Sequence, residues 1–410
     1  MTTSSSSASR IARLSQSKAA WLLAFIFLIS LNLRGPVTGV PPLLERISDT
    51  LHLNSSQTGL ITSLPLLAFA LFAPVASWLT RYFSLERILT MGALLIAIGM
   101  LVRSWGNLST LYLGAILIGI GVAVGNVLLP SLLKREFANK VVQLTSLYVL
   151  MMSIGGFVMA SMAVPIDSWA QSRNTEMGLS SWSFSLLCQC AFILLPLLIG
   201  FSRLLPNHTR SNTNAQTVNV WRSLEAWQVG SFLALNSLFN YSVLAWVPAI
   251  LVDYGYTDTT AGLYQGYMQL AGALPSLLLA PFISRLGSHR RLCMIATSLG
   301  VVSILGWLYL PNWSGVWAFV FGFGVSMSYI LGLSFVSLRA NSARHAAALS
   351  GMSQFLGYTL AAIGPVVIGS LHDWSASWQI PLYLFVAMGL LCCISGWLAS
   401  PKQQAQQHLD

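Results

Sequence analysis

The sequence predicts an all-α integral membrane protein with twelve transmembrane helices in two pseudo-symmetric six-helix bundles. Three observations support this fold class. Only 8% of the 410 residues are charged and 55% are hydrophobic, whereas soluble proteins carry roughly 25% charged residues. Apolar stretches recur along the chain, each about 20 residues or longer, enough to cross ~30 Å of hydrocarbon. A single polar stretch near the middle separates the first six from the last six.

The predicted spans follow one another through short polar connections. The Ser-rich start, residues 1–18, is basic and is expected to be a disordered cytoplasmic tail. The first apolar run is longer than a signal-peptide core, so we expect it to stay attached as a signal anchor. The twelve predicted spans lie near residues 19–44, 57–80, 88–105, 108–133, 141–166, 180–202, 226–252, 260–284, 291–310, 313–338, 346–371 and 377–399.

The basic residues predict the orientation of the chain. Most of the 21 Lys and Arg residues fall in the termini and in the even-numbered connections between spans. Because positive residues near span ends favour the cytoplasmic side, both termini are expected there. The net charge of +10 is therefore explained by the orientation of the chain in the membrane. The charge therefore predicts no nucleic-acid partner.

A polar linker divides the chain into two halves. Residues 204–223 are rich in Asn, Thr and Ser, a composition typical of a flexible linker, here on the cytoplasmic side. We therefore predict an N-terminal bundle over residues 19–203 and a C-terminal bundle over residues 224–400. Residues 401–410 form a short cytoplasmic tail in this prediction.

Weak internal repeats indicate that the halves arose by duplication. VPPLLER (40–46) resembles VPAILVD (247–253). Gly59 precedes LLAFAL at the spacing at which Gly262 precedes QLAGAL. Two parallel six-span halves with a site between them are typical of transporters that rock between two open states.

Arg34 lies inside the first predicted span. A guanidinium cannot lose its charge, and its insertion at mid-span costs ~2.5–3.5 kcal/mol even on the most forgiving scale. Ser30 and Thr38 share its helix face, and Gly35 with Pro36 predicts a kink. No acidic residue falls within a predicted span. We expect Arg34 to face a central cavity and bind an anionic or strongly polar planar solute. The alternative is permanent bonding to carbonyls and amide side chains.

Polar residues at helical spacing are the other candidates for cavity walls. An intramembrane Asn or Gln can contact substrate or can hydrogen-bond between packed helices, and spacing does not separate the two. An isolated Tyr leaves the same two possibilities open. Asn126 follows Gly121 and Gly125, whose GxxxG spacing favours close helix packing. The candidate substrate-binding residues are Arg34, Thr38, Asn126, Tyr148, Asn236, Asn240, Tyr241, Gln265, Gln269, Gln354 and Tyr358.

The residue pattern also excludes function classes. The five cysteines lie in or beside apolar runs without clustered His or Asp, so neither a disulfide framework nor a metal site is predicted. A membrane enzyme needs titratable groups clustered at one depth, and the predicted spans contain no Asp, Glu or His. We predict no catalytic residue and no cofactor. The same pattern favours facilitated diffusion or anion exchange over proton coupling.

Six segments carry a family resemblance. They are NLRGPVTGVPPLLERI (32–47), SSQTGLITSLPLLAFAL (55–71), GNVLLPSLLKREF (125–137), LNSLFNYSVLAWVPAIL (235–251), GFGVSMSYILGLSFVSLRA (322–340) and AAALSGMSQFLGYTLAAIGP (346–365). With these segments the chain resembles the cyanate permease and nitroimidazole exporter family of the major facilitator superfamily. The resemblance implies a major facilitator fold in the bacterial inner membrane and a small transported compound. It places the family's membrane arginine at Arg34.

The cytoplasmic loop signature of the superfamily, roughly GxxxDRxGRR, is only partly present. ASWLTRYFSLER (76–87) has Thr80 where the acid is expected, whereas SRLGSHRR (284–291) keeps its basic residues. The fifth span has Gly155 and Gly156 but lacks the proline of the drug-antiporter signature. The candidate gating residues are Arg81, Arg87, Arg285 and Arg290.

Together these patterns predict a secondary transporter that moves a small polar or anionic compound by alternating access, with Arg34 at the central site. The compound classes are a cyanate-like anion, a nitroimidazole-like heterocycle or a small organic acid. The alternatives are a proton-coupled drug or multidrug exporter and a non-transporting membrane sensor. The expected partners are the solute and the lipid bilayer, and the expected state is a monomer.

Overall fold

The computed structural model describes residues 4–80, 82–137, 140–173, 180–204, 220–279, 289–340 and 343–400. These residues form fourteen α-helices, and no strand occurs among them. A helix satisfies its backbone hydrogen bonds within one segment, which is the requirement that hydrocarbon imposes. Most of the predicted linker, residues 205–219, lies outside the described ranges.

The helices follow the predicted spans. Those of the first half are α1 Ser4–Thr38, α2 Leu44–Leu51, α3 Ser55–Leu79, α4 Leu85–Arg103, α5 Leu108–Glu136, α6 Val141–Ser172, α7 Ser181–Cys188 and α8 Ala191–Ile199. Those of the second half are α9 Leu224–Asp253, α10 Asp258–Leu279, α11 His289–Tyr309, α12 Ser314–Arg339, α13 Ala343–Ser375 and α14 Gln379–Ala399. Within the described ranges, eleven segments are long and apolar enough to cross a membrane. The predicted eighth span corresponds to α10, and residues 280–288 after it are not described.

The first and sixth spans differ from the predicted single helices. α1 begins at Ser4 and so includes residues of the predicted tail, where Ala, Arg, Leu and Lys are good helix formers. α1 stays helical through Pro36 and ends at Thr38, and a 3₁₀ turn over Pro41–Leu43 leads into α2. The sixth span is divided into α7 and α8 around Gln189.

Each half has its own hydrophobic core. In the first half, buried side chains of α1, α4 and α5 pack together, including Phe25, Ile96 and Leu129. In the second half, α9, α12 and α14 contribute buried aromatic residues such as Phe239 and Phe385. A smaller apolar cluster, formed by Leu66 of α3 with Ala361 and Ala362 of α13, lies between the halves.

The two halves touch through α3 against α13 and through α6 against α10. The glycines of the internal repeat, Gly59 on α3 and Gly262 on α10, lie at these two contacts. A Cβ on Gly59 would lie 2.8 Å from the Pro365 carbonyl oxygen, and one on Gly262 would lie 3.1 Å from the Ala160 carbonyl oxygen. The glycine at each repeat therefore permits close approach of helices from opposite halves.

Arg103 is a buried cation that the sequence does not reveal. Charge alternation places it at the outer end of the third span, yet it is the last residue of α4 and only 3% exposed. Its guanidinium donates to the Pro36 carbonyl and, over 2.9 Å, to the Gln189 side-chain oxygen. These bonds explain how the charge is tolerated. They also join the end of α1 to the break between α7 and α8.

Replacing Gln189 with leucine is expected to destabilise the protein by about 2–3 kcal/mol, because a buried guanidinium loses a hydrogen-bond acceptor. The midpoint of thermal unfolding in detergent measures this effect. Gln189→Glu keeps an acceptor and is the matched control, so it is expected to retain stability. Equal midpoints for Gln189→Leu and the wild type would contradict the assigned bond.

Candidate functional site

One arginine and four tyrosines from five helices meet between the halves. Arg34 lies on α1, Tyr148 on α6, Tyr241 on α9, Tyr329 on α12 and Tyr358 on α13, and all five are half-buried. Tyr329 and Tyr358 both lie close enough to Arg34 to interact with its charge. Tyr329 also interacts with Tyr148 and Tyr241, and the rings of Tyr241 and Tyr358 lie 5.9 Å apart. We call these five residues the central cluster.

The Arg34 guanidinium has no hydrogen bond and no ion pair with any residue of the described ranges. The ion pairs of the described residues lie elsewhere. Asp167 and Asp258 bind Arg46, and Glu86 binds Arg135. The Arg34 guanidinium is therefore partly exposed and permanently charged, and it lies among tyrosine hydroxyl groups at the interface between the halves.

Close packing of α1 on α6 fixes the position of Arg34. A Cβ on Gly155 would lie only 2.1 Å from the Leu31 carbonyl oxygen, so only glycine permits this approach. Thr38, one turn after Arg34, is fully buried, and its hydroxyl donates over 3.2 Å to the Gly156 carbonyl as well as to its own helix. The predicted site residue Thr38 thus joins α1 to α6.

The two predicted glutamines of α10 are buried near the same contact. Gln265 donates over 3.0 Å to the Leu244 carbonyl on α9. Gln269 is 1% exposed, and its side-chain oxygen has no partner among the described residues. Its side chain lies against Gly156, where an added Cβ would be 3.2 Å from Cγ. Gln265 and Gln269 therefore both keep a side-chain oxygen without a partner among the described residues, and the side chain of Gln269 lies beside α6.

The predicted asparagines divide into two kinds. Asn126 donates over 3.0 Å to the Val122 carbonyl of its own helix, and Asn236 is buried and donates to Ser328 on α12. Asn240 is half-buried and makes no hydrogen bond with a described residue. On α13, Gln354 donates over 3.2 Å to Ser350. The structure thus gives Asn236 an interhelical bond, which is the alternative that spacing left open.

The family is decided by comparison with known proteins. A sequence model described as the Major Facilitator Superfamily matches residues 20–362. The chain belongs to this superfamily. It is 39% identical over 386 residues to the 2-nitroimidazole transporter of Escherichia coli (strain K12), covering 93% of this chain and 96% of that protein. It is 27% identical over 364 residues to the cyanate transport protein CynX of the same organism, covering 87% and 91%.

The fold agrees with this assignment. The D-xylose-proton symporter superposes with a TM-score of 0.76 at 13% identity, covering 94% of this chain and 99% of that structure. The resemblance found in the sequence and the predicted helical membrane fold are confirmed. The chain is a multi-pass secondary transporter of small compounds, and the expectation that it is not an enzyme is confirmed by its relatives.

In this transporter the predicted gating arginines are placed as follows. Arg87 is exposed and lies over the Phe83 ring at 5.3 Å. Arg290 lies over the Trp397 ring at 3.8 Å and donates to the Trp397 carbonyl. Neither contact crosses between the halves. Arg81 and Arg285 lie outside the described residues.

Besides Arg103, sequence reasoning missed Tyr329 and the burial of Asp167. Tyr329 belongs to the central cluster, and only its position near Arg34 and Tyr358 in the fold identifies it. Asp167 was placed outside the fifth span, but α6 continues to Ser172 and the residue is fully buried. Its ion pair with Arg46 makes that burial tolerable. Asp167 therefore lies within α6 in a buried ion pair, and not in an exposed connection after the fifth span.

Proposed function

We propose that the transporter carries a small polar or anionic planar compound through the central cluster, with Arg34 as its principal contact. The observation that supports this proposal is the Arg34 guanidinium, which has no bonding partner among the described residues and lies beside Tyr329 and Tyr358. A guanidinium offers parallel N–H donors to a carboxylate, nitro or cyanate group. Such a solute supplies the acceptors that the helices do not.

The tyrosines support a planar solute. Aromatic rings at the central cluster can stack on a flat heterocycle, and their hydroxyls can donate to polar edges. Nitroimidazole-like heterocycles fit both features, and two relatives are named for transport of 2-nitroimidazole and of cyanate. A cyanate-like anion or a small organic acid would bind to the Arg34 guanidinium without stacking on the tyrosine rings. Asn240 and Gln269 are the proposed additional contacts, because each keeps an unused polar group.

Alternating access is the proposed mechanism. α3 contacts α13 at three points. Ser55 lies against Gly369, and Gly59 lies against Pro365. The ring centroids of Phe69 and Tyr358 lie 3.7 Å apart. Rocking of one half against the other would separate α3 from α13 and open the central cluster to one side of the membrane at a time. The cytoplasmic arginines Arg81, Arg87, Arg285 and Arg290 are proposed to act at the other end.

We further propose location in the bacterial inner membrane, with both termini in the cytoplasm, and function as a monomer. The distribution of basic residues supports the orientation. The proposed bundles, 19–203 and 224–400 with a linker at 204–223, agree with the division of the hydrophobic cores. Both halves contribute to one central cluster, so a single chain contains the proposed site.

Flux into proteoliposomes tests the proposed function. Labelled 2-nitroimidazole, cyanate and benzoate are each presented to vesicles with and without the purified protein. Saturable protein-dependent flux of at least one compound is expected, whereas lipophilic cations are expected not to compete. Flux of cations alone would instead support a multidrug exporter. Absence of flux for every compound would support the sensor alternative.

A further inference from the structure

Tyr329 of α12 interacts with every other member of the central cluster. It lies close enough to Arg34 and to Tyr148, both from the first half, to interact with them electrostatically. The same holds for Tyr241 and Tyr358 of its own half. Tyr329 is half-buried, and its hydroxyl makes no hydrogen bond with a described residue. The cluster therefore contains a hydroxyl that the described part of the protein does not use.

Contacts on both sides of Tyr329 fix its position. One residue earlier, the Ser328 hydroxyl accepts a hydrogen bond from the Asn236 amide on α9. Three residues later, a Cβ on Gly332 would lie 2.6 Å from Cδ2 of Leu233, so α12 packs closely on α9 there. These two contacts hold α12 in one register against α9. A solute that binds to the Tyr329 hydroxyl therefore does not have to order the helix that carries it.

The second tyrosine beside Arg34 is already engaged. The Tyr358 hydroxyl shares a hydrogen bond with the Tyr241 hydroxyl. The Tyr358 ring packs across the interface, with its centroid 3.7 Å from that of Phe69. Of these two tyrosines beside Arg34, Tyr329 is thus the one whose hydroxyl keeps its donor free of the described residues.

A planar group with two oxygens on one atom fits Arg34 and Tyr329 together. The guanidinium fork binds both oxygens of such a group through parallel N–H bonds. Each oxygen keeps a second lone pair, to which a hydroxyl beside the fork can donate. Cyanate is linear, and its acceptor atoms lie at opposite ends. It therefore cannot present two oxygens side by side to the fork.

We propose that Tyr329 is a specificity-determining residue of the central cluster, and that its hydroxyl acts with the Arg34 fork to select solutes that carry a carboxylate or nitro group over linear anions. The inference rests on the proposed binding of the solute at Arg34. It narrows the three proposed compound classes to nitro-heterocycles and small organic acids. Arg34 donates to both oxygens of the group, and Tyr329 donates to one of them.

Packing is the alternative role for Tyr329. Its ring lies against the apolar core that contains Phe232 of α9 and Phe335 of α12. Phenylalanine keeps that ring and removes only the hydroxyl. A loss of packing would weaken the binding of every solute alike, because the contacts of the ring do not depend on the solute. Selectivity between probes therefore separates the two roles.

Equilibrium binding to the purified full chain in detergent measures this selectivity. Labelled 2-nitroimidazole, benzoate and cyanate are the probes. Unlabelled imidazole, which has the same ring as 2-nitroimidazole without the nitro group, is added as a competitor. Wild type, Tyr329→Phe and Tyr112→Phe are compared at equal folded concentration. Tyr112→Phe is the matched control, because the Tyr112 hydroxyl donates over 3.0 Å to the Gln57 carbonyl outside the central cluster.

Tyr329→Phe is expected to bind 2-nitroimidazole about three- to tenfold more weakly than wild type, which corresponds to one lost hydrogen bond. Benzoate should bind roughly tenfold more weakly or worse, because hydrogen bonds to a charged acceptor are stronger. Cyanate affinity and competition by imidazole should change by less than about twofold. Tyr112→Phe should bind every probe as wild type does.

Equal weakening of cyanate and of the two-oxygen probes in Tyr329→Phe would assign a packing role to Tyr329 and overturn the inference. Unchanged affinity of that variant for every bound probe, or binding of cyanate alone to the wild type, would also overturn it. In both of these cases the proposed function stands if Arg34→Ala loses the bound probe. If no probe binds the wild type, the proposed function fails and the inference fails with it.

Discussion

Alanine in place of Arg34 is expected to abolish transport while membrane insertion stays normal. The guanidinium is the only charged member of the central cluster, and alanine removes all of its N–H donors. Two charge-assisted hydrogen bonds to a solute, of about 1.5 kcal/mol each, correspond to roughly a hundredfold loss of affinity. The initial rate of protein-dependent flux in proteoliposomes, at substrate concentrations below saturation, measures the loss.

Arg34→Lys separates charge from geometry. Lysine keeps the positive charge but loses the planar fork, so partial activity between those of wild type and Arg34→Ala is expected. Arg173→Ala is the matched control, since Arg173 is an exposed guanidinium that lies over the Trp169 ring at 5.2 Å. Full activity is expected from that control. Normal flux in Arg34→Ala would remove Arg34 from the site.

Alanine in place of Gly155 is expected to have the second-largest effect. Its Cβ would lie 2.1 Å from the Leu31 carbonyl oxygen and 2.7 Å from the Leu31 carbonyl carbon. Backbone atoms cannot turn aside as a side chain can, so α1 must move away from α6. Overpacking of this kind costs about 1–3 kcal/mol. The movement also lengthens the bond from Thr38 to Gly156 and displaces Arg34, so flux should fall by more than tenfold.

Gly351→Ala provides the comparison, because an added Cβ there meets no atom within 4 Å. In the middle of α13 this change is expected to stabilise the helix slightly, by about 0.5–1 kcal/mol. Flux and thermal midpoint of both variants are measured together. A Gly155→Ala protein with wild-type flux and midpoint would show that the α1–α6 approach is not required.

The sequence was sufficient for the fold because the bilayer restricts the possible structures so strongly. Length and apolar composition predict the helices, and the positions of basic residues predict their alternation. α10 is the instructive element. Its polar glutamines reduce its hydropathy, yet the alternation of loops still required a span between Asp253 and Arg290. The breaks after Thr38 and around Gln189 depend on contacts between distant segments, which composition does not encode.

The candidate site was predicted less completely. Arg34 can be recognised from the sequence because a charged residue within an apolar span is rare, whichever way the helix faces. A tyrosine is not unusual, so Tyr329 could be recognised only when α12 was placed beside α1 and α13. Arg103 and Asp167 escaped for a related reason. Both lie at helix ends, where exposure is the ordinary expectation, and their partners Gln189 and Arg46 are distant in sequence.

The central claim is that the guanidinium of Arg34 binds the transported compound. Equilibrium binding to purified protein in detergent tests it most directly, with labelled 2-nitroimidazole, cyanate and benzoate as probes and with wild type, Arg34→Ala and Arg173→Ala compared at equal folded concentration. We predict saturable binding of at least one probe to wild type and Arg173→Ala, with roughly a hundredfold weaker binding to Arg34→Ala. Equal affinity of wild type and Arg34→Ala for every bound probe would contradict the account.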